Sequence, residues 1–221
     1  MTKDIQGTVT IAAGIACGNG RLNSIYKGIA PKSELLIVKL RAIKDVYKKG
    51  TIGYELSDFL AGISYVVSFI KKYNKNFILN LTLAERSESI ILTNNIFAAT
   101  ENSISIGGFN NEIDSMWLGS SIGTLNQVPL KPDIVAPCIN IVGPYKDRPY
   151  VNASVTGVVS ILVDFLVSQS NLNQRLIYTD IIKTYLMIGA DRFIYKYPNI
   201  RMGYGVLNLR NTIQQISQNL R

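Results

Sequence analysis

The spacing of apolar residues along the chain predicts five helices. The clearest is 52–72, where apolar side chains recur every three or four positions and so share one helix face. Residues 8–18 are mostly small and run into Gly-Asn-Gly, which predicts a glycine cap at the end of the first helix. Thr179 is the expected N-cap of a helix over 179–190. The remaining helices are predicted at 151–166 and 211–220.

Nearly continuous apolar runs alternate with these helices and predict strands. Residues 34–40 and 76–83 are typical of buried parallel strands, and 103–109 predicts a third strand that ends in paired glycines. The stretch 130–141 carries two prolines five residues apart, which favours a rigid extended loop over a central strand. The alternation predicts an α/β fold with a parallel sheet covered on both faces, in a single domain over 1–221.

The composition narrows the class of protein without naming a function. A net charge of +8 raises the question of nucleic-acid binding, but the lysines form short groups at 47–50 and 70–75 without interleaved aromatic residues. This pattern favours a solvated basic face. The opening MTKDIQG lacks the apolar core of a signal peptide, and the most apolar stretch, 56–70, carries Asp58 and is too short to cross a bilayer. We therefore expect a soluble, cytoplasmic protein with no nucleic-acid partner and no membrane span.

The absence of histidine restricts the available chemistry, because it removes the commonest general base and the commonest metal ligand. Cys17 and Cys138 have neither metal-ligand spacing nor a disulfide pattern, and Cys17 is predicted to be a small buried thiol. Glu112 with Asp114 favours a solvated turn over a weak cation site. No phosphate-binding or dinucleotide-binding motif is present. We expect no cofactor and no metal.

A few other polar residues are candidates for chemistry. Asp133, in KPDIVAP, is the most conspicuous acid, and its place between prolines favours a loop-fixing hydrogen-bond acceptor over a catalyst. Ser120, Ser121 and Ser154 have no histidine that would activate them as nucleophiles.

Several motifs, taken in order, resemble those of the subtilisin-like serine proteases, the subtilases. They are GTVTIAAGIACGNG (7–20), YKGIAPKSELLIVKL (26–40), SISIGGFN (103–110), KPDIVAP (131–137) and SVTGVVSILV (154–163). The resemblance covers nearly the whole chain and is strongest to the clostridial germination-associated branch of the Csp type. It implies a subtilisin-like three-layer sandwich with a mostly parallel sheet. It further implies that the first strand and the jelly-roll insertion of that branch are lacking.

The resemblance also implies where the catalytic histidine and serine of a subtilase would lie. One alignment places Thr8 at the histidine position and another places Gln6 there. Pro149 takes the serine position in the favoured alignment, and Ser154 takes it in a less favoured one. Neither Thr8 nor Gln6 is a base at neutral pH.

The other two functional positions of the family are an aspartate that orients the histidine and an asparagine in the oxyanion hole. Asp4 lies too close to Thr8 to be that aspartate. Asn94 and Asn95 are poor substitutes for the asparagine, since they follow the segment in which it would lie. These replacements predict that the chain is not an enzyme.

The function implied by the resemblance is that of an inactive subtilase homologue, a pseudoprotease, which binds partners in spore-germination signalling. The expected partners are another Csp-type protein or the precursor of a cortex-lytic enzyme, and the expected location is spore-associated. Two alternatives stay open. One is a truncated gene remnant without a function of its own. The other is a residual serine-type endopeptidase that uses a different base, such as Lys39 or a group supplied in trans.

Overall fold

A computed structural model describes residues 8–44, 52–81, 100–123, 130–141, 151–169, 177–193 and 196–219. Five helices lie within these residues, and each occupies a segment for which the apolar spacing predicts a helix. They are α1 (Thr8–Cys17), α2 (Leu56–Tyr73), α3 (Val151–Ser168), α4 (Thr179–Gly189) and α5 (Leu209–Asn219). The helix predictions are therefore confirmed apart from their ends.

The strands in the described part of the chain are short. They are β1 (Ala42–Lys44), β2 (Ile52–Tyr54), β3 (Ile106–Asn110), β4 (Ser115–Met116) and β5 (Ile134–Pro137). β1 and β2 form an antiparallel pair. The second sheet has the order β4-β3-β5, in which β3 is antiparallel to β4 and parallel to β5. The third predicted strand is confirmed as β3, whereas the three-layer, mostly parallel sandwich stays a prediction.

The loop predicted over 130–141 is wrong, because residues 134–136 form most of β5 and have no exposed surface. One edge of β5 pairs with β3. On the other edge the N–H of Val135 donates to the Gly205 carbonyl at 2.9 Å, and the Leu207 N–H donates to the Val135 carbonyl at 2.8 Å. The two prolines lie at either end of the strand, so the N–H groups between them remain available for both neighbours.

The buried strand predicted over 34–40 does not form either. This segment is extended chain without a strand assignment, and Leu35 and Ile37 are 55% and 53% exposed. The side chains of the alternate residues Val38 and Leu40 pack against α2. A Cβ built on Gly62 of that helix would lie 3.4 Å from the Val38 side chain and 3.0 Å from the Leu40 side chain. Over 76–81 no strand is assigned, and residues 82 and 83 lie outside the described residues. A strand is stable only beside a neighbour, and apolar composition does not supply one.

The helix ends differ in two places from the sequence predictions. Thr179 is the first residue of α4, and the N-cap is Tyr178, whose side chain makes no capping hydrogen bond. At the end of α1, the N–H of Gly18 donates to the Gly14 carbonyl at 2.9 Å and so continues the helical pattern. The left-handed residue is Gly20, at φ 69°. The glycine that reverses the chain is therefore the second one of the Gly-Asn-Gly stretch that the sequence predicts as the cap.

The main hydrophobic core lies where α3, α4 and α5 pack against β5. Its buried members are Ile134, Ala136, Val155, Val158, Val159, Leu162, Leu166, Ile182, Leu186 and Ile216.

α1 packs closely against the first half of α3. Ile11, Ala12 and Ile15 form a buried cluster with Ala153. One turn further along α3, a Cβ built on Gly157 would lie 3.0 Å from the carbonyl oxygen of Ala16, near the end of α1. Because the contact moves towards the C-terminal end of both helices, α1 and α3 run in the same direction. Their N-terminal ends therefore lie on the same side of the molecule.

Replacement of Gly157 by alanine tests this packing. The new methyl group would also meet Ile29 Cβ at 2.7 Å, which leaves it no room without a shift of α1 against α3. We expect Gly157→Ala to lower the free energy of unfolding by about 1–2 kcal/mol, since overpacking outweighs the gain in helix propensity. Urea unfolding measures the change.

Gly62→Ala is the matched control, because it adds the same methyl group to the interior of α2. There the nearest atom is a terminal methyl carbon of Leu40, which can move. We expect Gly62→Ala to leave stability unchanged or to raise it by up to about 1 kcal/mol. Equal stabilities for the two variants would contradict the close approach of α1 and α3.

Candidate functional site

The paired N-terminal ends of α1 and α3 form the candidate site. Thr8, the residue matched to the catalytic histidine, is the first residue of α1. Ser154 lies in the first turn of α3 and is half-buried. Gln6 and Pro149 lie outside the described residues. The structure thus places one histidine candidate and one serine candidate at helix starts on the same side of the molecule.

The other residues of the implied catalytic set are less well placed. Asp4, Asn94 and Asn95 lie outside the described residues. Lys39, the alternative base, is exposed on the segment 34–40. Their roles stay predictions.

The other two candidate serines, Ser120 and Ser121, follow β4. The Oγ of Ser120 accepts a hydrogen bond from the N–H of Gly108 at 2.8 Å, which ties the chain after β4 to β3. Ser121 is exposed.

The acidic pair suggested as a weak cation site is part of a turn. The Glu112 carboxylate accepts a hydrogen bond from the Asn140 side-chain amide, and Asp114 has a left-handed backbone at φ 45°. Within the described residues, no group of three or more metal-binding side chains comes together. In the same ranges no helix is long and apolar enough to cross a membrane.

The two cysteines differ in burial. Cys138 is buried, and this burial raises the pKa of its thiol to about 11. Cys17 is half-buried rather than buried, and its thiol donates to the Ala13 carbonyl at 3.2 Å. Burial also raises the pKa of Cys17. Both thiols are therefore protonated at neutral pH and are poor nucleophiles.

The most unusual electrostatic feature is a buried carboxylate held by two lysines. Asp133, at the start of β5, is 1% exposed. Its Oδ2 accepts from Lys131 Nζ at 2.9 Å, and its Oδ1 accepts from Lys183 Nζ on α4 at 2.9 Å. The N–H of Ser105 donates to the same carboxylate at 2.7 Å. The expectation that Asp133 is a hydrogen-bond acceptor is confirmed, but its two lysine partners are not evident from the sequence.

The lysines also bind the turn that precedes β3. Lys131 Nζ lies 3.3 Å from the Thr100 carbonyl oxygen and 3.5 Å from that of Ser103. Lys183 Nζ lies 3.2 Å from the Glu101 carbonyl oxygen and 3.3 Å from that of Ser103. The side chain of Lys131 has no exposed surface, and burial lowers its pKa. The cluster therefore joins β5, α4 and the turn, with Lys131 and Asp133 buried and the Lys183 side chain 12% exposed.

Solved structures that are similar to this chain include two proteases. The CspB protease of Clostridium perfringens matches with 29% identity and a TM-score of 0.51, over 57% of this chain and 29% of that one. The prenylagaramide maturation protease PagA matches with 18% identity and a TM-score of 0.70, over 97% of this chain and 84% of that one. No protein-family model and no curated protein sequence matches the chain.

These likenesses show that the chain has a subtilisin-like fold. The matched part spans less than a third of the CspB structure, so the activity of the whole CspB protein is not transferred to this chain.

The comparisons correct the prediction that the chain is not an enzyme. The structures of similar fold are those of proteases. The side chain of Thr8 and the residues Gln6 and Pro149 lie outside what the structure describes. The loss of the catalytic residues is thus not established, and neither is the absence of enzymatic activity.

Neutralising Asp133 tests the buried cluster. In Asp133→Asn the two lysines keep their charges but lose the carboxylate that compensates them. Breaking a buried ion pair in this way typically costs about 3–5 kcal/mol, and we expect Asp133→Asn to destabilise the protein by that amount. The control is Glu34→Gln, which breaks the exposed pair between Glu34 and Lys75 and should cost less than about 1 kcal/mol. Similar losses for the two variants in urea unfolding would rule out a structural role for the cluster.

The pKa of Lys131 leads to a prediction about pH. Because burial lowers this pKa below 10.5, the unfolded chain binds more protons than the folded chain between the lowered pKa and 10.5. The free energy of unfolding should therefore rise with pH across this window. Lys131→Met removes the titrating group and should flatten the rise.

The measurement is urea unfolding of both proteins from about pH 8 to pH 10.5. Lys71→Met, on the exposed surface of α2, is the control that should keep the wild-type slope. The same pH slope in Lys131→Met and wild type would refute the assignment.

Proposed function

We propose that the chain acts in spore-germination signalling as a subtilisin-like domain of the Csp type, which binds a partner polypeptide at the paired N-terminal ends of α1 and α3. Two partners fit this role, another Csp-type protein and the precursor of a cortex-lytic enzyme. The motifs GTVTIAAGIACGNG and KPDIVAP support the assignment to this branch. The match to the CspB protease over 57% of the chain supports it as well.

The single observation that carries the proposal is the parallel packing of α1 and α3. Their contact is made through Ala153 and Gly157, residues small enough to let the two backbones approach. Close packing fixes the relative position of the two helix starts, which a binding site requires. The first N–H groups of a helix have no partner within the helix, and at the starts of two parallel helices they point in one direction, where they suit carbonyl or carboxylate groups of a polypeptide.

Serine-type endopeptidase activity is a second candidate. The observation in its favour is Ser154, a half-buried hydroxyl in the first turn of α3, the helix that packs against α1. Since the 221 residues contain no histidine, the base would be a lysine or a group from the partner.

Binding to a purified cortex-lytic enzyme precursor tests the first candidate. We expect saturable binding by interferometry. Ser154→Arg should weaken this binding at least about tenfold, because the longer, charged side chain fills the space at the helix starts. Gln218→Arg adds the same side chain to the exposed end of α5 and should bind like the wild type. A protein that unfolds cooperatively yet binds neither proposed partner would contradict the proposal.

Incubation of the chain with the same precursor distinguishes binding from catalysis. Cleavage of the precursor, together with labelling by a fluorophosphonate probe that Ser154→Ala abolishes, would establish the peptidase. Binding without cleavage or labelling would leave binding as the function. A non-cooperative, dye-binding protein would instead favour the gene remnant.

A further inference from the structure

The last stretch of the chain is rich in cations and contains no acidic side chain. Residues 192–221 include five arginines and lysines and no aspartate or glutamate. Asp191 comes directly before this stretch, and its carboxylate accepts hydrogen bonds from the side-chain amides of Asn208 and Asn211, both at 2.9 Å. The carboxylate that is nearest in sequence is therefore held by neutral amides and not by one of these cations.

Three cations of this stretch, Arg192, Lys196 and Arg201, are exposed and lie in one small part of the surface. The side chain of Asn199 donates to the Lys196 carbonyl at 3.1 Å and accepts from the Arg201 N–H at 3.0 Å. Arg192 Nε donates to the carbonyl of Tyr204 at 3.4 Å, three residues beyond Arg201. No carboxylate in the described part of the chain forms an ion pair with any of the three. Their positive charges are therefore available to a ligand.

An exposed aromatic ring lies among these cations. Phe193 is 54% exposed, although its ring stacks on the buried ring of Phe109 with a centroid distance of 5.9 Å and an interplanar angle of 7°. The N–H of Phe193 also donates to the hydroxyl of Tyr197 at 3.1 Å. Stacking covers part of the ring, and the exposed remainder is a fixed apolar surface on which another ring can pack. We call Arg192, Phe193, Lys196 and Arg201 the tail surface.

Backbone hydrogen bonds fix the shape of the tail surface. The N–H groups of Asp191 and Val206 each donate to the other residue's carbonyl at 2.8 Å. Asn199 and Gly203 are paired in the same reciprocal way, at 3.0 Å and 2.9 Å. A surface that is ordered before binding loses less conformational entropy when a ligand arrives.

From these features we infer that the tail surface binds an acidic segment of a partner polypeptide that carries an aromatic residue. The aromatic residue packs on Phe193, and carboxylates on either side of it pair with the three cations. The tail surface shares no residue with the starts of α1 and α3, so this inference does not depend on the proposed function.

Two other occupants fit the tail surface less well. A second copy of this chain brings a net charge of +8 to a positive surface. A single-stranded nucleic acid stacks successive bases on several rings. Among the described residues of 192–204, Phe193 is the one exposed aromatic side chain, since Tyr197 and Tyr204 are half-buried. One ring suits one anchoring side chain of a polypeptide.

A synthetic probe tests the inference on the full chain. The probe is a short fluorescent peptide with one tyrosine between pairs of glutamates. It should bind saturably in fluorescence anisotropy with a dissociation constant below about 1 mM, and more weakly as the salt concentration rises. One matched peptide has glutamine in place of glutamate, and another has alanine in place of tyrosine. Each should bind at least about fivefold more weakly than the probe.

One pair of variants tests the ring. Phe193→Ala should weaken binding of the probe about fivefold, because it removes the surface on which the tyrosine packs. Tyr178→Ala removes a ring of similar exposure, 59%, before the start of α4 and should have no effect.

A second pair of variants tests the charges and remains informative even if Phe193→Ala unfolds. The double variant Lys196→Gln with Arg201→Gln changes only exposed side chains and should weaken binding about tenfold. Its control is Arg21→Gln with Lys27→Gln in the exposed loop after α1. The control has the same net charge as the double variant and should bind like the wild type.

Several outcomes would overturn the inference. These are no binding of the probe at about 1 mM, equal binding of either matched peptide, and equal losses in the two double variants. Undiminished binding by a folded Phe193→Ala would do the same. If an oligothymidylate competes with the probe and binds more tightly, the occupant is a single-stranded nucleic acid and not an acidic polypeptide.

Discussion

The buried carboxylate of Asp133 is the constraint on which the rest of the described structure depends. It joins three elements that are far apart in sequence, through Lys131 beside it, Lys183 on α4 and the N–H of Ser105 before β3. Both lysines also donate to carbonyls of the turn 100–103, and these hydrogen bonds help to compensate the burial of Lys131 beside Asp133. This cluster fixes the edge of β5 against the helices, and α3 is placed by that same core.

The position of α3 links this core to the candidate site. Small residues in its first half pack on α1, and larger residues from Val155 onward are buried in the core beside β5. A change that loosens the core would therefore move the start of α3 relative to the start of α1. The fold is shared with proteases, but the fold alone does not determine whether this end of the molecule binds or cleaves a polypeptide.

The sequence predicted the helices well, because each helix carries its own apolar spacing. It failed for 34–40, since an apolar run does not show which faces of the segment are covered, and Leu35 and Ile37 are more than half exposed. At β5 the two prolines were informative about the ends of the strand and misleading about its interior. The motif KPD indicated a hydrogen-bond acceptor at Asp133. Its partner Lys183 lies 50 positions further along the chain, and no local sequence pattern predicts a contact over that separation.

Native-state hydrogen exchange at Ser105 tests the central role of Asp133 most directly. The Ser105 N–H donates at 2.7 Å to the Asp133 carboxylate, which also accepts from Lys131 and Lys183. If the cluster holds the fold together, this amide should exchange only through global unfolding, with the same free energy as the amide of Val135 in β5. Exchange of Ser105 through a local opening of much lower free energy, while Val135 stays protected, would contradict the account.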